Sequence, residues 1–379
     1  MKPDFRCVVA SRLALVFLTL GLISGCSSGP EKPKPADLVA NAGLLGVRLA
    51  WTSKVGAVEF PLDVKVNGNA VAVASSDGLI ASFDARTGAE LWRANVGGQI
   101  AAGVGSDGRF AAVVNRNNEL IVLDGGREIW REKLQAQGFT APLVAGGRVF
   151  ILAANRSVMA FDAQSGRKLW NLQRPGDSLV LRQAGVLLAV RDTLVAGLAG
   201  RLVGINPSNG TIRWESPIAS PRGTNELERL VDLVGGVGRD GDTVCARAFQ
   251  SAVGCVDTTR GTLLWTKPAN GFVGVHGDDK HLFGVESDGQ LVAWRRSDGD
   301  RAWVSERLRY RSLTAPLVVG RSVAVGDDSG LVHWLSRVDG TALTRLPTDG
   351  SAVVTAPVLA DGTLVVVTRN GGVFGFKPE

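Results

Sequence analysis

The chain has 379 residues, of which 45% are apolar and 6% aromatic, and its formal net charge is +6. This charge is too small and too scattered to indicate a nucleic-acid-binding protein. The three histidines show no metal-ligand spacing with one another or with the four cysteines, so the sequence predicts neither a metal site nor another cofactor site.

The first predicted element is a lipoprotein signal peptide at residues 1–25. A basic start, including Lys2 and Arg6, precedes an apolar run at residues 13–23 that is too short for a comfortable membrane span. The string Leu22-Ile23-Ser24-Gly25-Cys26 resembles a bacterial lipobox. That resemblance implies that Cys26 is lipidated and becomes the first mature residue. An ordinary secretory signal that happens to contain a cysteine is the alternative.

Residues 26–46 follow the signal peptide and are rich in serine, glycine, proline and charge, which is typical of a flexible tether. Ser27 follows the cysteine, whereas lipoproteins retained at the inner membrane usually resemble Cys-Asp. The resemblance therefore implies an anchor on the periplasmic face of the outer membrane.

From residue 47 to residue 379 the chain is a repeat with a period near 40. Tryptophan marks it at spacings of 41, 38, 40, 44, 51 and 38 residues, at Trp51, Trp92, Trp130, Trp170, Trp214, Trp265 and Trp303. Turn signals such as Asn67-Gly68 and Ser76-Asp77-Gly78 divide each period into four short apolar runs. Four antiparallel strands per period predict one blade of a β-propeller.

The blade count follows from the two ends of the repeat. Thr344 stands 41 residues after Trp303 in a degenerate copy, and the last period, residues 355–376, has only three strands. Residues 47–52, around Trp51, supply the missing outer strand. The sequence therefore predicts an all-β, eight-bladed propeller at 47–379, closed by the N-terminal strand joining the C-terminal blade.

A short phrase recurs before most of the tryptophans, for example Phe83-Asp84-Ala85-Arg86-Thr87-Gly88-Ala89-Glu90-Leu91-Trp92. Its residue types indicate structural roles. Thr-Gly makes a turn, the aspartate caps that turn by accepting backbone N–H groups, and the tryptophan packs between neighbouring blades. Cys245 and Cys255 flank a turn centred on residue 250, so a disulfide is predicted if the two strands are in register. A slip of one residue would forbid it.

No nucleophile elbow or phosphate-binding loop is present. The enzymatic alternative is a periplasmic quinoprotein (PQQ-type) dehydrogenase, a class that also has eight blades and a similar tryptophan repeat. Its cofactor site usually resembles a vicinal Cys-Cys pair with calcium ligands, and this chain has no adjacent cysteines. A generic periplasmic propeller adaptor is the other alternative.

The later blades carry a more specific resemblance. Leu313-Thr314-Ala315-Pro316-Leu317 leads to Val325-Gly326-Asp327-Asp328-Ser329-Gly330-Leu331-Val332-His333-Trp334. Together with the lipobox and the tether, this pattern resembles the BamB family, lipoprotein subunits of the outer-membrane β-barrel assembly machinery. The resemblance implies a non-catalytic scaffold that docks on the periplasmic domains of BamA, and through BamA on the other lipoproteins of the complex. Unfolded outer-membrane proteins are a further expected partner, held by β-augmentation.

Two segments resemble the family's contacts with BamA. Leu179-Val180-Leu181-Arg182 matches a Leu-x-Leu-Arg pattern, and the segment at residues 229–234 is similar to Arg-Leu-x-Asp-Val-Asp. The second departs from the pattern at Val234, which leaves Asp232 as its acidic candidate. The resemblance thus implies partner-binding roles for Leu179, Leu181, Arg182 and Asp232. The alternative is that the leucines are blade core and the charges are solvated.

Overall fold

A computed structural model of the protein describes residues 33–60, 62–174, 180–221 and 230–379. The predicted signal peptide and Cys26, the predicted lipidation site, therefore lie outside the described residues. Those that are described form strands and turns, and none of them is in an α-helix. Accordingly, no helix among them is long and apolar enough to cross a membrane.

The strands form eight four-stranded antiparallel sheets, each a propeller blade. Strand β1 (Val47–Lys54) belongs to the last blade. The strands of blades one to four are β2 (Lys65–Asn67), β3 (Ala70–Ala74), β4 (Leu79–Asp84), β5 (Glu90–Asn95); β6 (Gly105–Ser106), β7 (Phe110–Val114), β8 (Glu119–Asp124), β9 (Arg127–Lys133); β10 (Leu143–Ala145), β11 (Arg148–Leu152), β12 (Ser157–Asp162), β13 (Lys168–Gln173); β14 (Leu187–Val190), β15 (Thr193–Leu198), β16 (Arg201–Ile205) and β17 (Ile212–Pro217). Those of blades five to eight are β18 (Leu233–Asp240), β19 (Thr243–Ala248), β20 (Ala252–Asp257), β21 (Thr262–Pro268); β22 (Val275–Gly277), β23 (His281–Val285), β24 (Leu291–Arg295), β25 (Arg301–Ser305); β26 (Leu317–Val319), β27 (Ser322–Gly326), β28 (Leu331–Ser336), β29 (Ala342–Pro347); β30 (Val358–Ala360), β31 (Thr363–Val367) and β32 (Gly372–Pro378).

The order of strands in the last sheet closes the ring. Strand β1 pairs antiparallel with β32, so blade eight has the order β1-β32-β31-β30. The prediction of an eight-bladed, all-β propeller closed by the N-terminal strand is confirmed.

Burial within each blade follows the position of the strand. The middle strands are buried along nearly their whole length, as in β7, where all five residues are buried. Both faces of such a strand lie against neighbouring blades, which explains its continuous apolar run. The outer strands alternate, and Leu91, beside Trp92, keeps 51% of its surface exposed.

In every blade except blade seven, the tryptophan of the outer strand packs on the turn glycine of the next blade. The ring of Trp51 covers Gly88, where an added Cβ would lie 2.6 Å from the ring. Its Nε1 donates to the carbonyl of Ala85, 2.8 Å away. Gly88 also has φ +73°, a conformation that costs glycine little. The same contact recurs around the ring, pairing Trp92 with Gly126, Trp130 with Gly166, Trp170 with Gly210, Trp214 with Gly261, Trp265 with Gly299 and Trp303 with Gly340.

The aspartate of the repeated phrase caps its turn, as predicted. Asp84 Oδ1 accepts the backbone N–H groups of Arg86 and Thr87 at 2.9 and 3.0 Å. In blade three, the backbone N–H and hydroxyl of Ser165 lower the pKa of Asp162. The phrase therefore has a structural explanation in each of its parts.

Thr344 stands where the other blades have tryptophan. Blade eight has no turn between its third and outer strands, so it has no turn glycine on which a tryptophan of blade seven could pack. Its two outer strands, β32 and β1, are the two ends of the propeller chain. Residues 36–45 lie against blade seven instead. The N–H of Leu44 donates to Leu343 O at 2.7 Å, and Asn41 Nδ2 donates to Arg345 O at 3.0 Å. These bonds hold the C-terminal half of the predicted tether segment against the propeller.

Cys245 and Cys255 lie directly opposite each other in the β19–β20 pair of blade five. Their sulfur atoms are bonded, and both residues are fully buried. The register that the disulfide requires is therefore the one that the hairpin adopts.

Candidate docking surface

The two segments that resemble contact segments enter neighbouring blades side by side. Residues 180–186 lead into β14 of blade four, and residues 230–232 lead into β18 of blade five. The N–H of Gly235 donates to Ala184 O at 2.7 Å, and Gly185 forms a β-bridge with Val234. The fold thus joins two loops that are about 50 residues apart in the sequence.

Asp232 bonds to the first loop rather than projecting from the second. Its Oδ2 accepts the backbone N–H of Leu181 at 3.0 Å, and its Oδ1 lies 3.8 Å from Arg156 Nη2. The Asp232 side chain is only 18% exposed. Its negative charge is therefore directed into the protein.

Arg182 points the other way. It is exposed, and its guanidinium carbon lies 5.8 Å from the ring centroid of Phe139, a half-buried residue of the loop before β10. The next residue, Gln183, fixes the loop by donating its Nε2 to Phe272 O at 2.6 Å. Leu181 is half-buried between these anchors. We call Phe139, Val180, Leu181, Arg182 and Asp232 the docking surface.

The structure brings Leu181, Arg182 and Asp232 together, whereas Leu179 lies outside the described residues. Sequence reasoning did not identify Phe139 or Arg156 as neighbours of this site. Both belong to blade three, and a repeat pattern does not indicate which loop side chains meet across a blade boundary.

The docking surface borders a cavity of about 630 Å³ at the centre of the ring. Arg182, Asp63 and Arg369 contribute charges to its lining, and apolar side chains such as Phe60 and Phe272 contribute the walls. Concave sites of this size at a propeller centre can accept a side chain or a small ligand.

His333 and His276 make separate structural contacts. His333 Nε2 lies 2.9 Å from Asp327 Oδ2, and His276 Nδ1 accepts the N–H of Val318 at 3.2 Å. Across the described residues, no three His, Cys, Asp or Glu side chains cluster as metal ligands would. The two described cysteines, Cys245 and Cys255, form the hairpin disulfide and are ten residues apart, unlike the vicinal pair expected of a quinoprotein dehydrogenase.

Comparison with known proteins identifies the family. A family model described as "Outer membrane protein assembly factor BamB" matches residues 76–305. A protein of that name from Burkholderia pseudomallei is 37% identical over 94% of this chain and 95% of its own length. This chain belongs to the BamB family. The Bordetella pertussis BamB is 35% identical over 96% of both chains.

Solved structures agree on the fold. The crystal structure of BamB from Moraxella catarrhalis has a TM-score of 0.80 at 23% identity, covering 87% of this chain and 99% of that one. Quinohemoprotein alcohol dehydrogenase from Comamonas testosteroni has a TM-score of 0.69 at 16% identity, covering 91% of this chain and 79% of that one. At such identities the likeness establishes the propeller architecture and nothing about chemistry.

Proposed function

We propose that this protein is a non-catalytic scaffold of the outer-membrane β-barrel assembly complex, which docks on the periplasmic domains of BamA and assists the folding and insertion of outer-membrane proteins. The observation that carries the proposal is the sequence similarity, 37% and 35% identity over nearly the full length, to two proteins named outer membrane protein assembly factor BamB. The docking surface supports it, because loops held on a rigid ring commonly carry binding.

The proposed location is the periplasmic face of the outer membrane, with the chain anchored through a lipidated Cys26. Residues 36–45 lie against blade seven, so a lipid anchor at Cys26 would connect to the propeller through at most the ten residues 26–35. At about 3.5 Å per residue, this connection would span at most about 35 Å. Radiolabelled palmitate incorporation into the wild type and into a Cys26→Ala variant tests the anchor, because only the wild type should be labelled.

Affinity purification from detergent-solubilised membranes tests the partner. The wild type should recover BamA, and Arg182→Glu should recover much less. Arg127→Glu is the matched control. Arg127 is exposed on the outer strand β9, so this substitution makes the same change of charge away from the docking surface. Equal recovery with all three proteins would refute this assignment of the docking surface. Recovery of unrelated proteins alone would favour a generic adaptor.

Two further roles have their own tests. Apolar side chains are exposed on several outer strands, including Leu49, Leu91 and Leu264, beside strand edges that could hold an unfolded outer-membrane protein by β-augmentation. Crosslinking from Leu91 to a nascent barrel protein would support that role. A dye-linked dehydrogenase assay with added quinone and calcium tests the enzymatic alternative.

A further inference from the structure

The docking surface contains two opposite charges, but the structure uses them differently. Asp232 gives one carboxylate oxygen to the backbone of Leu181 and turns the other toward Arg156. Arg182 is exposed, and its guanidinium carbon lies over the Phe139 ring, 5.8 Å from the centroid. Among the residues that the structure describes, no carboxylate lies within 4 Å of the Arg182 guanidinium. In the described part of the chain, the surface therefore presents the Arg182 cation outward, whereas the Asp232 carboxylate accepts an internal hydrogen bond.

We infer that Asp232 is a positioning residue, which holds the Leu181–Arg182 loop and does not itself contact the partner. Arg182 and Phe139 contact the partner, and the partner segment offers a carboxylate next to apolar side chains. This inference rests on the proposed function, since it describes how the same surface selects its partner. It reverses the simplest interpretation of the sequence, in which Arg182 and Asp232 both contact the partner.

The geometry opposes a direct contact by Asp232. To reach a partner, its carboxylate would have to leave the Leu181 N–H, and that donor would then be unpaired in a half-buried loop. The contact between its Oδ1 and Arg156 Nη2, 3.8 Å apart, would be lost in the same movement. A residue that carries two internal contacts is poorly suited to an external one.

The geometry favours contact by Phe139 and Arg182. The Arg182 guanidinium lies over the Phe139 ring, 5.8 Å from the centroid, which is within the range of a cation–π interaction. Val180 and Leu181 add half-buried apolar surface beside that charge. A planar cation on an aromatic ring, flanked by apolar groups, fits a carboxylate whose neighbours are apolar.

Two substitutions of Asp232 separate positioning from contact. Asparagine keeps an oxygen that can accept the Leu181 N–H, whereas alanine removes it. With the full mature chain in detergent and the purified periplasmic domains of BamA, Asp232→Asn should bind within about threefold of the wild type, and Asp232→Ala about tenfold or more weaker. Equal, large losses for both variants would overturn the positioning role, because they would show that the charge itself binds.

Arg182 and Phe139 should behave as contact residues. Arg182→Gln should weaken binding more at low than at high ionic strength, because it removes a charge pair, while the loss in Asp232→Ala should not change with salt. Phe139→Ala should weaken binding about tenfold, with Phe139→Leu intermediate. Wild-type affinity in both Phe139→Ala and Arg182→Gln would overturn the proposed contact surface. Thermal unfolding of every variant shows whether the ring is intact.

These outcomes are distinct from failure of the proposed function. If the wild-type chain itself does not bind the periplasmic domains of BamA, the proposed function fails and with it the partner. If the wild type binds but Asp232→Asn and Asp232→Ala are equally impaired, only the present inference fails.

Discussion

Replacing Gly88 by alanine tests whether tryptophan packing between blades stabilises the ring. Gly88 has φ +73°, and an added Cβ would lie 2.6 Å from the Trp51 ring. The left-handed backbone costs about 1–2 kcal/mol for alanine, and overpacking against the ring costs about 1–3 kcal/mol. Gly88→Ala should therefore lower the free energy of unfolding by about 2–5 kcal/mol.

Gly68 provides the matched control. It has φ +59°, and an added Cβ would meet nothing within 4 Å, so Gly68→Ala should cost only about 1–2 kcal/mol. Urea unfolding of the purified protein, followed by tryptophan fluorescence and circular dichroism, measures both. In a Trp51→Ala background the additional cost of Gly88→Ala should disappear. If Gly88→Ala and Gly68→Ala have the same unfolding midpoint, the packing argument is wrong.

Three other predictions concern groups buried in the later blades. Replacing Cys245 and Cys255 together by alanine should lower the free energy of unfolding by about 2–3 kcal/mol, because the disulfide closes a loop with a sequence separation of 10. Urea unfolding without reductant measures this loss of stability. Burial alone would raise the pKa of Asp327, but hydrogen bonds from His333 and from the backbone of Leu331 outweigh it and lower the pKa. The stability lost in Asp327→Asn should therefore be full above about pH 4 and should decrease as the pH falls toward the lowered pKa of the folded state. Thermal unfolding from about pH 7 to about pH 3 measures the onset of this decrease. Glu286→Gln should lower the free energy of unfolding by about 3–5 kcal/mol, because it leaves the fully buried Arg247 without its counter-charge; urea unfolding measures this. A loss below about 1 kcal/mol would mean that the charge of Arg247 is balanced in another way.

The blades were predictable because their signals are local. A turn such as Asn67-Gly68 needs φ > 0 at the glycine whatever surrounds it, and the structure places Gly68 at +59°. The spacing of 41 residues from Trp51 to Trp92 was enough to assign β1 to the last blade. Turn residues and the regular spacing of the tryptophans are therefore sufficient to predict this architecture.

Residues 36–45 were not predictable in the same way. Their composition indicates a tether, yet backbone groups such as the Leu44 N–H and the Ala36 N–H bond to blade seven and to Arg309 O. A main-chain hydrogen bond leaves no pattern of side chains, so composition does not reveal it. The threonine at 344 was visible as a departure from the repeat, but its reason depends on where the two chain ends meet.

The docking surface was predictable only in part for a related reason. A resemblance of short motifs found Arg182 and Asp232, but a motif records residue types and not the direction of a side chain, so it does not show that Asp232 bonds to the backbone of Leu181. Phe139 and Arg156 come from another blade, and their contacts with Arg182 and Asp232 depend on ring geometry.

The departures from the repeat nevertheless share a physical logic. The longest spacing, 51 residues between Trp214 and Trp265, contains residues 230–232 and the start of β18, where the pairing with β19 shifts register between Val234 and Gly238. At this irregularity, Val234 lies opposite Gly185 in a bridge to blade four. Irregular pairing thus couples the two loops whose side chains form the docking surface. Restoring a regular register should therefore weaken binding while leaving the ring closed.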